Sequence, residues 1–268
     1  MFITDAFATA ARAKSVMADV LPTRPLPGHG LKVTTPRFGS GSATAIHVEA
    51  TTVQETDPTT ALATGPVGTI AGQVDISQQA VDLSNIDEAV AGELGSAYGS
   101  QLDVQVLNGS GSAGQLLGLL NVPGIASVVY TSATPTALEN LARVGQVAAA
   151  TGTAFGARVD TILLHPRRFA YITTKATGGD PSWPAEPIQV GALPTNLGAG
   201  ANEDIVIALA REESPLFALP PTFRALIDPL SANLEIRFQV YGYAALLANR
   251  QPASIGKLSG TGLIAPTF

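Results

Sequence analysis

Residues 98–125 read Tyr98-Gly-Ser-Gln-Leu-Asp-Val-Gln-Val-Leu-Asn-Gly-Ser-Gly-Ser-Ala-Gly-Gln-Leu-Leu-Gly-Leu-Leu-Asn-Val-Pro-Gly-Ile125. The order in which helix signal and glycines follow one another there decides between two kinds of fold. Gly109, Gly111 and Gly114 match the Gly-x-Gly-x-x-Gly phrase of dinucleotide-binding enzymes. That phrase holds a pyrophosphate only when a strand leads into it and a helix opens from its last glycine. Here the lead-in is helical. Ile86, Val90, Leu94, Tyr98, Leu102 and Val106 recur every fourth residue, close to the 3.6-residue period of one helix face. Asn85 with Glu88 resembles a capping-box start, and Asn108-Gly109 is a favoured helix stop. The pattern predicts a helix from Ile86 to Leu107, a rod of about 33 Å at 1.5 Å per residue. A helix that runs into a glycine turn offers no N-terminus to a phosphate, so a nucleotide-fold enzyme is the weaker reading.

Composition bears on the same choice. The chain has 268 residues, enough for one large or two modest domains with a real core. Hydrophobic residues make up an ordinary 46%. Charged residues are only 13%, about half the usual quarter. A subunit that covers much of its exterior with neighbours needs less charge than a soluble monomer, because interface cores are depleted in it. An alanine- and glycine-rich composition produces the same figure by a plainer route. The net charge is −6 with no basic run, which argues against dedicated nucleic-acid binding, where phosphates are neutralised by clustered Lys and Arg. The absence of cysteine excludes disulfides and thiolate metal sites. No run approaches the roughly eighteen apolar residues that span a bilayer. The N-terminal residues carry neither the basic region nor the cleavage site of a signal peptide.

Along the chain, Leu21-Pro-Thr-Arg-Pro-Leu-Pro27 reads as an extended strap. Strands are expected at Leu31–Thr35 and Thr44–Thr52, joined through Pro36-Arg-Phe-Gly-Ser-Gly-Ser42, with Ile46 and Val48 on one face of the second and His47 and Glu49 on the other. A lone two-stranded ribbon is barely stable in water, so this one must lean on something. Val67–Leu83 alternates like a strand. Thr134-Pro135 opens a helix expected to end near Thr151-Gly152. Val159–Leu164 reads as a buried strand, Pro166 to about Lys175 as a helix, and 176–203 as loop with short strands around Trp183. Asp204–Ala210, Phe223–Ile227 and Leu234–Ala248 read as closing strands.

Three phrases in this order resemble the major capsid protein of tailed bacteriophages, the family with the Hong Kong 97-type fold. Its long spine helix ends in a phrase matched here by Leu107, Gly109, Gly111, Gly118, Leu119 and Leu120, then Pro123-Gly124. Thr161-Ile-Leu-Leu-His-Pro-Arg-Arg-Phe169 resembles its strand that enters a helix through a proline step. Asn233 to Ile255 resembles its closing strands. The resemblance covers about residues 66–268. It implies an α+β, Hong Kong 97-like capsid fold: an N-terminal arm (1–27), an extended β-hairpin loop (28–57), a peripheral domain with the spine helix (58–122 and 204–268) and an axial domain (123–203). It implies a structural protein that assembles through pentamers and hexamers around double-stranded DNA, with itself as chief partner. Portal, scaffolding or decoration proteins are further partners. Assembly in the host cytoplasm and residence in the virion are expected. Lys32, Arg37, Phe38, His47 and Glu49 of the extended loop are the expected subunit contacts; Gly109, Gly111, Gly114 and Gly118 are the expected turn after the spine. An encapsulin-like compartment shell is the alternative within the same fold.

Chemistry is sparse. His29, His47 and His165 are the only histidines and none lies three or four residues from another, so no helical zinc pair is possible. No catalytic, cofactor or metal residue is expected. His165 reads as a structural histidine, Asp103 and Glu93 as the wet face of the spine helix, and Glu212-Glu213 as a solvated turn or subunit contact. Arg167-Arg168 at a helix start opposes the helix dipole, which calls for a carboxylate partner; one across an interface is expected. Some relatives join a loop lysine to a neighbour's asparagine with help from a buried glutamate. Lys32 is the only lysine in 28–57 and Asn233 lies near the asparagine position, but Val240 or Tyr241 stands where the glutamate belongs. An amine without a base to take its proton is no nucleophile, so covalent cross-linking is not expected.

Overall fold

The computed structural model describes residues 15–39, 41, 43–83, 86–176, 181–227 and 233–267. The chain runs α1 (Val16–Val20), β1 (Thr23–Pro25), β2 (Lys32–Phe38), β3 (Thr60–Pro66), β4 (Gly68–Ser77), α2 (Gln78–Leu83) and α3 (Ile86–Asn108). It continues through β5 (Ala126–Val129), α4 (Ala137–Phe155), β6 (Thr161–Leu164), α5 (Pro166–Lys175) and β7 (Glu186–Gln189). The closing elements are β8 (Val206–Leu209), β9 (Leu216–Ala218), β10 (Thr222–Leu226), β11 (Glu235–Leu246) and β12 (Ile255–Ser259).

Helix α3 is the spine expected from the four-residue recurrence. Leu94, Tyr98, Leu102 and Val106 are buried along one stripe, and the helix stops at Asn108. Asn85, the expected cap, lies outside the described residues. The stripe packs on a five-stranded sheet built around β11, which pairs with β4 on one side and with β10 and then β9 on the other. Ile236, Phe238 and Val240 of β11 point into that core while Arg237 and Gln239 point away, the period of two of a half-buried strand.

A second sheet, in the order β5-β12-β8-β6-β7, is buried on both faces at its central strands β6 and β8. Leu163, Ile207, Leu209 and Ile255 join the spine-helix core. Ile162, Leu164, Val206, Ala208 and Leu258 pack under α4 and α5. Two-sided burial is why Thr161–Leu164 is an unbroken run and not an alternation. It also corrects the expected division that placed all of 204–268 with the spine helix. β8 and β12 come from that stretch, yet they pair with β6 and β5 in the second sheet; only β9–β11 pair in the first.

Helix α4 begins later and ends later than expected. Its N-cap is Thr136, not Thr134: the Thr136 hydroxyl accepts from the Glu139 N–H while the Glu139 carboxylate accepts from the Thr136 N–H, the reciprocal box of a Thr-x-x-Glu start. Gly152 lies inside the helix, which stops at Gly156 with φ 76°, the left-handed conformation that glycine supplies at no steric cost. Trp183 stacks on Phe169 of α5, ring centroids 5.6 Å apart.

The hairpin is rearranged relative to expectation. β2 pairs not with Thr44–Thr52 but with β3, from Lys32↔Pro66 to Phe38↔Thr60. Residues 43–59 form no strand, so Ile46 and Val48 are not opposed to His47 and Glu49 across a pleat. The strand former in sequence lost to a stretch of small residues. Ala63 is 1% exposed, and a Cβ on Gly65 would collide with the Leu246 carbonyl. That close approach is open only to small side chains, which propensity does not mark as strand.

Candidate subunit interface

The β2–β3 ribbon has two unlike faces. Val33, Ala63 and Gly65 are buried against the body of their own chain. Arg37 Nη1 donates to the Asn249 carbonyl at 3.1 Å, and Asn249 Nδ2 donates to the Thr64 carbonyl at 2.9 Å. Arg37 Nε and Asn249 Oδ1 at this junction are buried and have no hydrogen-bond partner among the described residues. The root of the ribbon therefore leans on its own subunit, and Arg37 takes part in that junction.

The opposite face and the described residues of the excursion beyond it are uncovered. Phe38 is 70% exposed and Leu62 70%. Past Phe38 the chain leaves the ribbon at Gly39, whose N–H donates to the Thr59 carbonyl. Between those two residues Ile46 is 97% exposed and Val53 69%, with Val48 also bare. The tip is a tight turn in which the Thr51 N–H and hydroxyl both donate to the Val48 carbonyl. His47 and Glu49 are exposed near this tip, and Lys32 is exposed at the ribbon's root. A projecting segment that carries large apolar side chains into solvent is what a protein interface presents before it is covered.

The strap is also tied to its own chain where it is described. Asp103, expected on the wet face of the spine, is buried: its carboxylate accepts from the Ser15 hydroxyl at 2.7 Å and from the Val16 and Met17 N–H groups. Those contacts cap α1 and seat Met17, which is fully buried. β1 then pairs in parallel with β9. Burial raises the Asp103 pKa against the pull of these hydrogen bonds. Glu93 is exposed, as expected.

The remaining charged positions resolve into structure. Arg167 and Arg168 do have a carboxylate partner, but within the subunit: Asp204 accepts from Arg167 Nε at 2.7 Å and from Arg168 Nε at 3.0 Å. Arg168 is 1% exposed and also donates to the Leu263 and Ile264 carbonyls. His165 is the N-cap of α5, its Nδ1 accepting from the Arg167 N–H at 3.2 Å, and burial lowers its pKa. Glu212 is exposed and Glu213 lies 3.7 Å from Arg250 in a 3-10 turn. Among the described residues no cluster of His, Asp or Glu is arranged to hold a metal ion, and no helix is long and apolar enough to cross a membrane.

The glycine phrase closes as a turn packed on the end of the spine. The Gly111 N–H donates to Leu116 and the Gly118 N–H to Gly109, so the backbone folds back on itself. Leu116 and Leu119 are then buried beneath it. The N–H groups of Gly109 and Gly111, which a phosphate loop would aim outward, are thus spent internally, on the Gln105 and Leu116 carbonyls. A match to the model of the phage capsid family covers residues 2–216.

The chain belongs to the phage capsid family.

This capsid protein is a structural subunit and not an enzyme. No curated protein is similar to it in sequence, whereas solved capsid folds are. A structure from Mycobacterium phage Bobi superposes with a TM-score of 0.71 at 16% identity, covering 92% of this chain and 90% of that one. One from Mycobacterium phage Adephagia gives 0.72 at 14%, covering 94% and 91%. The capsid of an empty GTA particle gives 0.70 at 14%, covering 92% and 90%. At such identities the likeness is one of fold, and it extends over nearly the whole capsid chain.

Proposed function

We propose that this chain is the repeating wall unit of a virion shell, assembled by self-association in the host cytoplasm through pentamers and hexamers around double-stranded DNA. In this reading the ribbon's outer face and the 39–59 excursion, with Lys32, Phe38, His47 and Glu49, reach the neighbouring copy, while Arg37 fixes the root from which they project. The spine-helix side is the peripheral domain and the α4–α5 side the axial domain. Gly109, Gly111, Gly114 and Gly118 hold the junction between them. Portal, scaffolding or decoration proteins are partners of the finished particle. The single observation that carries the reading is the bare apolar projection Phe38, Ile46, Val48 and Val53 on a chain of the capsid family. No contact among the described residues covers those side chains, and association must bury much apolar area to offset the freedom that each subunit loses.

Concentrated protein should form closed particles in negative-stain micrographs and elute far above monomer mass in light scattering. Phe38→Ser with Ile46→Ser should abolish particles while leaving the melting temperature of the monomer within about 2 °C, since side chains so exposed add little to the fold. A wild-type chain that remains a single copy at high concentration overturns the reading.

A further inference from the structure

A strand at the edge of a sheet offers a row of unpaired N–H and C=O groups to any extended chain, and soluble proteins blunt such edges with proline, charge or shortness. Most open edges of this chain are blunted in that way. β1 carries Arg24 and Pro25, and β7 carries Glu186 and Pro187. The ribbon has Pro36 and Arg37 on β2 and ends β3 in Pro66. β5 is four residues long and β10 five.

β4 is the exception. It runs for ten residues, Gly68-Thr-Ile-Ala-Gly-Gln-Val-Asp-Ile-Ser77, without proline, lysine or arginine. Among the described strands it pairs with β11 alone, so its other edge has no strand beside it. Its one charge is already matched within the sheet: Asp75 accepts from Arg237 Nε and Nη2, both at 2.8 Å. Val74 lies opposite Phe238, on the face that packs under the spine helix. It is nevertheless 36% exposed, between exposed Gln73 and Asp75. The core of one subunit stops short of it.

We propose that β4 pairs edge to edge with β4 of a second copy, antiparallel about a two-fold axis through Val74, so that two sheets become one. This rests on the wall-unit reading and adds a contact that it leaves open. When two identical antiparallel strands continue a sheet with the same face up, the axis stands on a residue that meets itself. With the axis on Val74, that side chain packs on its symmetry mate. Gln73 then stands opposite the partner's Asp75, where an amide N–H can donate to the carboxylate, and no like charges stand directly opposite each other. An axis on Gln73 would set Val74 against Gly72 and bury less apolar surface. A self-complementary contact closes a dimer and cannot build a ring. Its place is therefore between capsomers, whose internal contacts are of the ring-forming kind.

The chain lacks cysteine, so an introduced one reports only its own surroundings. Opposed strand residues have Cα atoms about 4.5–5.5 Å apart, within reach of a disulfide. Particles of Val74→Cys, mildly oxidised, should run mainly as dimers on a non-reducing gel. Thr69→Cys, five residues from the axis, has its two copies about 34 Å apart in this pairing and should stay monomeric. Independently, Val74→Lys should lower particle yield about tenfold by setting like charges face to face, with the subunit's melting temperature within about 2 °C of wild type. Val74→Ile should keep the yield within about twofold. Particles in which Val74→Cys stays monomeric, or in which Thr69→Cys dimerises equally, overturn the edge pairing while the wall-unit reading stands. So does a Val74→Lys yield equal to wild type. A different segment seated on β4, residues 1–14 included, gives the first of these results, because Val74 then never meets itself. Failure of the wild-type chain to form particles overturns both.

Discussion

At the scale of single residues, the structure turns on two buried charges. Asp103 lies beside Leu102 at the edge of the spine's apolar stripe, where helical periodicity assigns a carboxylate to water. Its partner Ser15 is 88 positions away, a distance over which no local pattern speaks. Asp103→Ala would leave the N–H groups of Val16 and Met17 without their acceptor and should cost about 1–3 kcal/mol in urea unfolding. The pH dependence has a definite sign. Burial holds the folded-state pKa above the ordinary 3.8, so below that raised value the folded chain binds the proton more readily than the unfolded one. Wild-type stability should therefore rise relative to Asp103→Asn, which does not titrate, as pH falls from about 7 toward about 4. A gap that is flat or moves the other way in thermal melts disproves the account. Arg168 was legible as far as its need for a carboxylate; that Asp204 sits beneath it in the same subunit was not, because 36 residues separate them. Arg168→Met strands half of a buried ion pair and should cost about 3–5 kcal/mol by chemical denaturation.

At the scale of elements, the spine was readable because it is long and its face repeats without a break, whereas the hairpin was not. Alternation of Ile46 with Val48 satisfies strand chemistry but finds no partner, and the pairing strand is largely Thr, Ala and Gly, with Gly65 close against Leu246. Packing against a distant backbone overrode local propensity there. The same steric logic governs the glycine turn. At Gly109 a Cβ would press on the Leu116 and Gln105 carbonyls, and at Gly118 on the Gly109 backbone nitrogen. Gly92, inside the spine, faces open space. Gly109→Ala should thus destabilise by about 1–3 kcal/mol, while Gly92→Ala should stabilise by about 0.5–1 kcal/mol by restricting the unfolded chain. Opposite shifts in melting temperature from one chemical change would separate turn geometry from helix propensity; shifts of the same sign would refute that separation.

At the scale of the molecule, two sheets share one core through the two-sided β6–β8–β12 strands, so chain segments far apart in sequence close each unit. This interleaving is why no linker was visible and why the division at residue 204 misplaced β8 and β12: strand pairing across dozens to more than a hundred residues leaves no local trace. What holds copies together is therefore surface chemistry laid over a continuous fold, and it need not include covalent bonds. Lys32 is exposed at the ribbon root opposite Pro66, and Asn233 is exposed where β11 begins. The position at which relatives place an assisting glutamate is Val240, 2% exposed among Phe238 and Ile236, or Tyr241, whose ring lies under Arg224. Neither side chain is a carboxylate, the group such a reaction uses as its base. Shells boiled in detergent should accordingly collapse to one band near 27.4 kDa, and a ladder of multimers that survives boiling and reductant would show a base that this chain's own Val240 and Tyr241 do not supply.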